Sequence, residues 1–582
     1  MIERAIDALG GMGRDAVAAV PDLVRFLKSD DQSRSAAAGL ALARILPRGS
    51  EVLGDAVPVL VKALKRKEQS IRGDATRALT LIGAPALPLL IEVIERQMDD
   101  PELVRDAEAA LEGMGADAAP AVPALIKALQ SQDENVVMGA ARTLGIIGSA
   151  AKAAVPELRK MLGHTNPTVR AHAASSLGDF GSVASAAVDD LLKATQDSDS
   201  QVRREAVEAL GRMGSAASSA VPALIAALDD PAAEVTVNAA LALRRIGPAS
   251  VPLLVPVINQ NAKQRQLAVL ILREFGGQAK PAVATLTKAL ESDDTAFVRD
   301  VIMTLARIGP AVRTAAPALM NMLKDDSNKL RGPAAYALAK MGAKESVPLL
   351  IKVLEQNDED HRLQILAASA LTMLEPNDDS HFNAALPLLI EGLGDHWGAT
   401  RHASATALRL IGPRAAPAVP HLAAVLHDPQ EPLRVDYLWT LAAIGSAAAP
   451  ALPEIEGLMN QDEFPVRYAA CYAAGSIGPS ASGVIPVLLK NLESRDEFLQ
   501  FMSAWAFVQI SPPANEVTAR CLQPLMKGLK LSDPRARSEA ALALARLGPA
   551  AREAIPDLRQ IARDDDATVR QSVAQALVRI GE

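Results

Sequence analysis

Cysteine is nearly missing from this sequence: Cys471 and Cys521 are the only two in 582 residues. With one in each of two distant segments, neither a disulfide framework nor a cysteine-based zinc site can be built. Aromatic residues make up 3% of the chain, so a core must rely on alanine and aliphatic side chains. No apolar run approaches the ~20 residues of a membrane span. The opening Met1-Ile2-Glu3-Arg4-Ala5 lacks a basic-then-apolar leader pattern, and a reducing, cytoplasmic setting is expected. Excess positive charge is lacking too. The formal net charge is −8, which argues against a general nucleic-acid coat and leaves room only for a local basic stripe.

Catalytic signatures are also absent. There is no G-x-x-x-x-G-K-[ST] loop, no G-x-G-x-x-G after a strand and no H-E-x-x-H pair. None of the eight histidines is followed by glutamate. His396, His402 and His427 fall near Asp395, Asp428 and Asp436, but without metal-ligand spacing. They read as polar turn or rim residues. No cofactor or metal is expected, and the chain reads as no enzyme.

What is present is a period. Prolines recur at Pro21, Pro58, Pro88, Pro123 and Pro156, and on through Pro222, Pro252, Pro317, Pro348, Pro387, Pro420, Pro453, Pro486, Pro524 and Pro556. Asp189 and Ala284 take the two vacant places. The commonest step is 33 residues, as from Pro123 to Pro156. A fixed period of 20–50 residues signals an array of small units, each unable to bury its apolar face alone.

One unit runs as follows. Val221, Leu224, Ile225 and Leu228 follow the i, i+3, i+4, i+7 spacing of one helical face, with Pro222 in the first turn where its missing N–H does no harm. This is helix A. An acidic turn such as Asp197-Ser198-Asp199 should cap the next helix. Helix B, from Val202 to Met213, ends at Gly214, suited to a left-handed cap. The closing glycine recurs at Gly83, Gly115, Gly148, Gly247, Gly309, Gly445, Gly478 and Gly548.

The second half of this unit resembles the HEAT-repeat family, in particular the short lyase-type HEAT-like repeats with a D-P-x-V-R-x-x-A-x-x-A-L-G-x-I-G pattern. The pattern stands nearly intact at Asp533-Pro534-Arg535-Ala536-Arg537 and at Asn166-Pro167-Thr168-Val169-Arg170. The resemblance implies an all-α fold. The expected form is a right-handed α-solenoid superhelix of about 17 helical hairpins plus a leading half-repeat, on the order of 150 Å long. One continuous solenoid over residues 1–582 is expected, with a half-repeat at 1–13, N-terminal and middle repeats at 14–375 and C-terminal repeats at 376–582. Because it opens on a half-repeat and closes where a repeat finishes, the chain reads as a piece of a longer protein. HEAT-like deoxyhypusine hydroxylases carry paired His-Glu motifs, which this chain does not have. HEAT-like bilin lyases share the repeat but lend no catalytic residue.

Arg170, Arg203, Arg265, Arg331, Arg401, Arg434, Arg467, Arg537 and Arg570 occupy one repeat position. Their regularity favours a structural role, bonding turn aspartates, over a ladder for phosphates. With that position as zero, core residues fall at +3, +4, +7 and +10, and +5 lies opposite them on a helical wheel. The resemblance places helix B on the concave surface, so +5 should be the most exposed position there.

Function should then reside where the repeats differ. The +5 column includes Tyr336, Trp439, Tyr472 and Trp505, the last three in successive repeats. Tyr468 and Phe501 sit one helical turn before Tyr472 and Trp505. Of the chain's 16 aromatic residues, 11 lie between Phe382 and Phe507. An exposed apolar strip of this kind marks an interaction surface. The expected partner is a protein or peptide segment. The alternatives are a HEAT-like lyase and nucleic-acid binding through a basic stripe at +9, formed by Arg212, Arg245, Arg307 and Lys340. Two longer spacings bracket the aromatic region, with insertions at residues 376–382 and 511–516, where binding loops often sit.

Overall fold

The computed structural model describes residues 2–96, 100–260, 262–356, 360–511 and 516–581. Among them there is no strand; helix follows helix, joined by 3₁₀ segments and short turns. The chain divides into two compact units, Met1–Ala289 and Leu290–Glu582, and each is an array of helical hairpins.

The repeat predicted from the period is present, with one addition. Helix B Ser200–Arg212 begins at Asp199, whose side chain accepts from the backbone N–H groups of Gln201 and Val202. It buries Val202, Ala206, Val207 and Leu210, as the helical spacing requires. After Met213 comes Gly214 at φ 59°, then a 3₁₀ segment, Gly214–Ala220, that the sequence pattern does not announce. Ala217 and Ala220 fasten it to the core. Helix A, Val221–Ala226, follows with its proline in the first turn. The repeat is therefore a three-part unit. The closing glycines are stricter than a left-handed cap needs. Gly83 takes φ 76°, ψ −131° and Gly445 φ 73°, ψ −138°, a region open essentially to glycine alone.

B helices stack side by side through small residues. A methyl group on Gly178 would come within 2.8 Å of the Ala209 Cα, and one on Gly211 within 2.7 Å of the Ala242 Cα. Each +8 glycine thus lets the +6 alanine of the following repeat approach at backbone distance. The same close seam recurs where Gly475 meets Ala506.

The recurrent arginines are structural staples. Arg170 grips Asp197 through two hydrogen bonds of 2.7 Å, and Arg203 grips Asp230 at 2.8 and 2.9 Å. Arg537 does the same to Asp564 at 2.8 Å. Each also donates to carbonyls of its own turn, as Arg203 does to Asp197 and Ser198. The forked geometry suits a guanidinium. Hydrogen bonding to Arg203 holds the Asp230 carboxyl below its ordinary range. A depressed acid pKa stabilises the fold above the ordinary carboxylate value and is lost as the pH falls through and below it. Arg203→Ala should therefore cost about 1–2 kcal/mol near neutrality, read as faster hydrogen exchange in Ser200–Arg212. The difference from the parent should shrink below pH ~4.

Against the expectation of no membrane-length run, two helical stretches, Arg434–Leu458 and Phe464–Asn491, are long and apolar enough by length and composition to cross a membrane. Both are interrupted at a positive-φ glycine, Gly445 and Gly478. Their longest α-helical arm, Phe464–Ile477, has 14 residues, about 21 Å at 1.5 Å per residue, against a hydrocarbon layer of about 30 Å. Two bent pairs, Gln69–Ile82 with Ala84–Arg96 and Ala233–Ile246 with Pro248–Asn259, also meet the criterion together, at bends of 118° and 107°.

Candidate functional site

The second unit carries the aromatic cluster on consecutive B helices, Arg434–Ile444, Phe464–Ile477 and Glu497–Ile510. Trp439, Tyr472 and Trp505 form one unbroken stack. Trp439 and Tyr472 have ring centroids 4.6 Å apart at 47°, and Tyr472 lies 4.6 Å from Trp505 at 9°. A second row runs alongside. Tyr468 stacks on Phe464 at 6.1 Å and meets Phe498 edge-on at 4.7 Å, and Phe498 leans on Phe501 at 5.9 Å. Contacts of this type add about 0.5–1.5 kcal/mol each beyond burial.

The two rows and the starts of the next two B helices enclose a pocket of about 600 Å³, within the range of small-ligand and side-chain sites. Trp439, Tyr468, Tyr472, Phe501 and Trp505 all line it, joined by Phe498 and Met502. The opposite wall is Asp533, Pro534, Arg535, Ser538 and Glu539 from one helix start, and Asp566 and Thr568 from the next. The column pattern did not reveal this second wall. It is supplied one and two repeats downstream, and the repeat ruler could have located it.

Exposure corrects the helical wheel. Trp439 is 38% exposed, but Trp505 and Phe501 are buried at 5% and 3%, and Tyr336 at 8%. The wheel treats a helix as isolated, whereas neighbouring helices cover Trp505, Phe501 and Tyr336. Trp505 lies over Gly475, where a methyl group would sit 2.5 Å from the ring, and its indole Nε1–H donates to Glu539 Oε2 at 2.9 Å. Phe501 packs likewise on Gly528. Short or early-repeat +5 residues such as Ala109 and Arg142 remain exposed.

Tyr336 does not join the pocket. It is buried on Arg331–Lys340 with the Lys340 ammonium 6.0 Å from its ring centre. Burial raises its phenol pKa, opposed by Arg307. Of the four basic +9 residues, Arg212 is neutralised by Asp179 and Glu208, while Arg245 and Arg307 are exposed. Burial, reinforced by Arg409 and Arg307, holds the Lys340 ammonium below its usual pKa.

Within the pocket, burial and then the hydrogen bond to Asp496 at 2.6 Å push the Tyr468 phenol up to about 12. Burial and Glu539 raise that of Tyr472. Both phenols are neutral at physiological pH. The histidines part company: His402 pairs with Asp436 at 3.1 Å, His396 meets Arg362, and His427 meets Glu454. Among the described residues, no three His, Cys, Asp or Glu side chains gather as a metal site. Residues 376–381 form a loop ahead of the helix Phe382–Gly392, with Arg414 4.0 Å over the Phe382 ring. Residues 512–515 of the other insertion lie outside the described residues.

In structure, the chain is similar to importin beta crystallised with ammonium sulfate, with a TM-score of 0.56 and 13% identity over 96% of this chain and 90% of that one. It is similar also to yeast importin-beta, with a TM-score of 0.55 and 13% identity over 97% and 93%. At that identity the likeness concerns the fold alone. No curated protein sequence matches this chain. The HEAT repeats family matches residues 99–162, 122–197, 188–270, 251–338, 316–409 and 522–582. These matches leave out residues 410–521, which contain the three aromatic helices. With well over half of its length matched, the chain belongs to the HEAT-repeat family.

Proposed function

We propose that this protein is a non-enzymatic scaffold that grips a protein or peptide segment in the aromatic pocket of its second unit. One observation carries the reading: a half-exposed tryptophan, Trp439, heads a continuous ring stack that runs into a pocket of about 600 Å³. Tryptophan and tyrosine in such partly desolvated settings dominate the energy of protein interfaces. Rings already stacked against one another lose little side-chain entropy on binding. The two alternatives have less support. Asp436 is engaged by His402 outside the pocket lining, and of the basic stripe Arg212 is neutralised by its own ion pairs while burial lowers the pKa of Lys340.

The test is selection from a fully randomised dodecapeptide library on the intact protein. Trp439→Ala should weaken the selected peptides by at least tenfold, the effect of removing one aromatic anchor, while far-UV circular dichroism stays unchanged. Peptides indifferent to Trp439→Ala would place binding elsewhere and remove the proposal.

A further inference from the structure

We infer that the pocket receives a cationic side chain, an arginine or lysine of the bound segment; the inference rests on the pocket being the binding site. Its aromatic wall is built from Trp439, Tyr468 and Phe498, and electron-rich ring faces attract ammonium and guanidinium groups. Its other wall is acidic. Asp533, Glu539 and Asp566 face a single cation, Arg535, which makes no ion pair with any of them.

Two of the three carboxylates, Asp533 and Glu539, are only half used by the fold. Asp533 Oδ1 accepts from the Arg535 backbone N–H, and Asp566 Oδ1 from those of Thr568 and Val569. Glu539 Oε2 accepts from the Trp505 indole. Among the described residues, Oδ2 of Asp533 and Oε1 of Glu539 accept no hydrogen bond, while the Thr568 side chain adds one to Asp566. An apolar occupant would take these oxygens out of water without compensation, at a cost of kilocalories. An anion would be repelled by them. A guanidinium or ammonium on an aliphatic stem satisfies both walls: the stem lies against the rings and the head meets the free oxygens. The contrast with Tyr336 is instructive, because the basic residues Lys340 and Arg307 act on that ring.

The chain's tryptophans provide the probe. Only Trp397, Trp439 and Trp505 are present, and Trp397 does not line the pocket. In a Trp397→Phe background, indole emission therefore reports the pocket alone. Dodecapeptides selected from the randomised library should be enriched in arginine or lysine and should change this emission on titration. Replacing the basic residue by neutral citrulline or norleucine should weaken binding at least tenfold. Glu539→Gln and Asp566→Asn, which keep the acceptor for Trp505 and for the helix start, should each weaken the basic peptide several-fold and leave the neutral analogue unaffected. Selected peptides without basic residues, or equal binding of the neutral analogue, would overturn the cationic assignment and leave the pocket reading standing. Selected peptides that leave the emission unchanged and bind equally well to Trp439→Ala would remove both.

Discussion

Replacing Glu108 with glutamine should stabilise the first unit by about 3 kcal/mol at pH 7. Glu108 lies on the helix Pro101–Met114 and is 1% exposed. Neither side-chain oxygen has a hydrogen-bond partner. Gly139 of the neighbouring B helix leaves room for the carboxyl; a methyl group there would overlap it. Burial, opposed only in part by Arg142 and Arg105, pushes the acid up to about 9. An acid whose folded pKa is raised contributes its full stability below the unfolded value near 4.5. That stability declines as pH rises, until the folded group also ionises. Glutamine mimics the neutral acid at every pH. Parent and variant should thus match near pH 4 and diverge steadily up to pH 9. Hydrogen exchange of the Pro101–Met114 amides reads this directly. A pH-independent difference would contradict the assignment of Glu108 as a neutral buried acid.

Trp505→Ala and Trp439→Ala should separate folding from binding. Trp505 fills the space over Gly475, stacks on Tyr472 and donates to Glu539. Its removal leaves a large cavity in the B-helix seam and should cost about 3–5 kcal/mol, seen as a lowered denaturation midpoint of the second unit. Trp439, at 38% exposure, should cost no more than about 1 kcal/mol by the same measurement, while removing the capture of peptides. Equal destabilisation by both would mean that the stack is core throughout. A triple alanine substitution that includes Trp505 therefore confounds loss of the site with loss of the fold.

The architecture was legible because it repeats. Period, proline, capping aspartate and closing glycine all follow from local backbone chemistry, and each recurs often enough to be recognised. The aromatic column was legible by the same ruler: three of its four rings, with Tyr468 and Phe501 one turn before two of them, line one pocket. Their exposure was not legible, because it depends on packing against neighbouring helices, as Trp505 packs on Gly475 and Phe501 on Gly528, which a single-helix wheel omits. Asp533, Glu539 and Asp566 were hidden by their ordinary appearance: two are helix caps in a pattern full of them. Glu108 was readable and missed. It stands at +4, where other repeats place Ala141, Ala174, Ala368, Ala405, Ala504 and Ala541.

Three of the arginine staples give their repeats a polarity, although Arg331 pairs backward with Asp326. Arg170, Arg203 and Arg537 each reach 27 residues forward, never back, to find their carboxylates. Dissecting the protein is consequently asymmetric. A cut that discards the N-terminal side strands a carboxylate on an exposed turn, where water replaces its partner. A cut that discards the C-terminal side strands a half-buried guanidinium at the new edge. Shortened versions trimmed from the front should tolerate the operation better than those trimmed from the back.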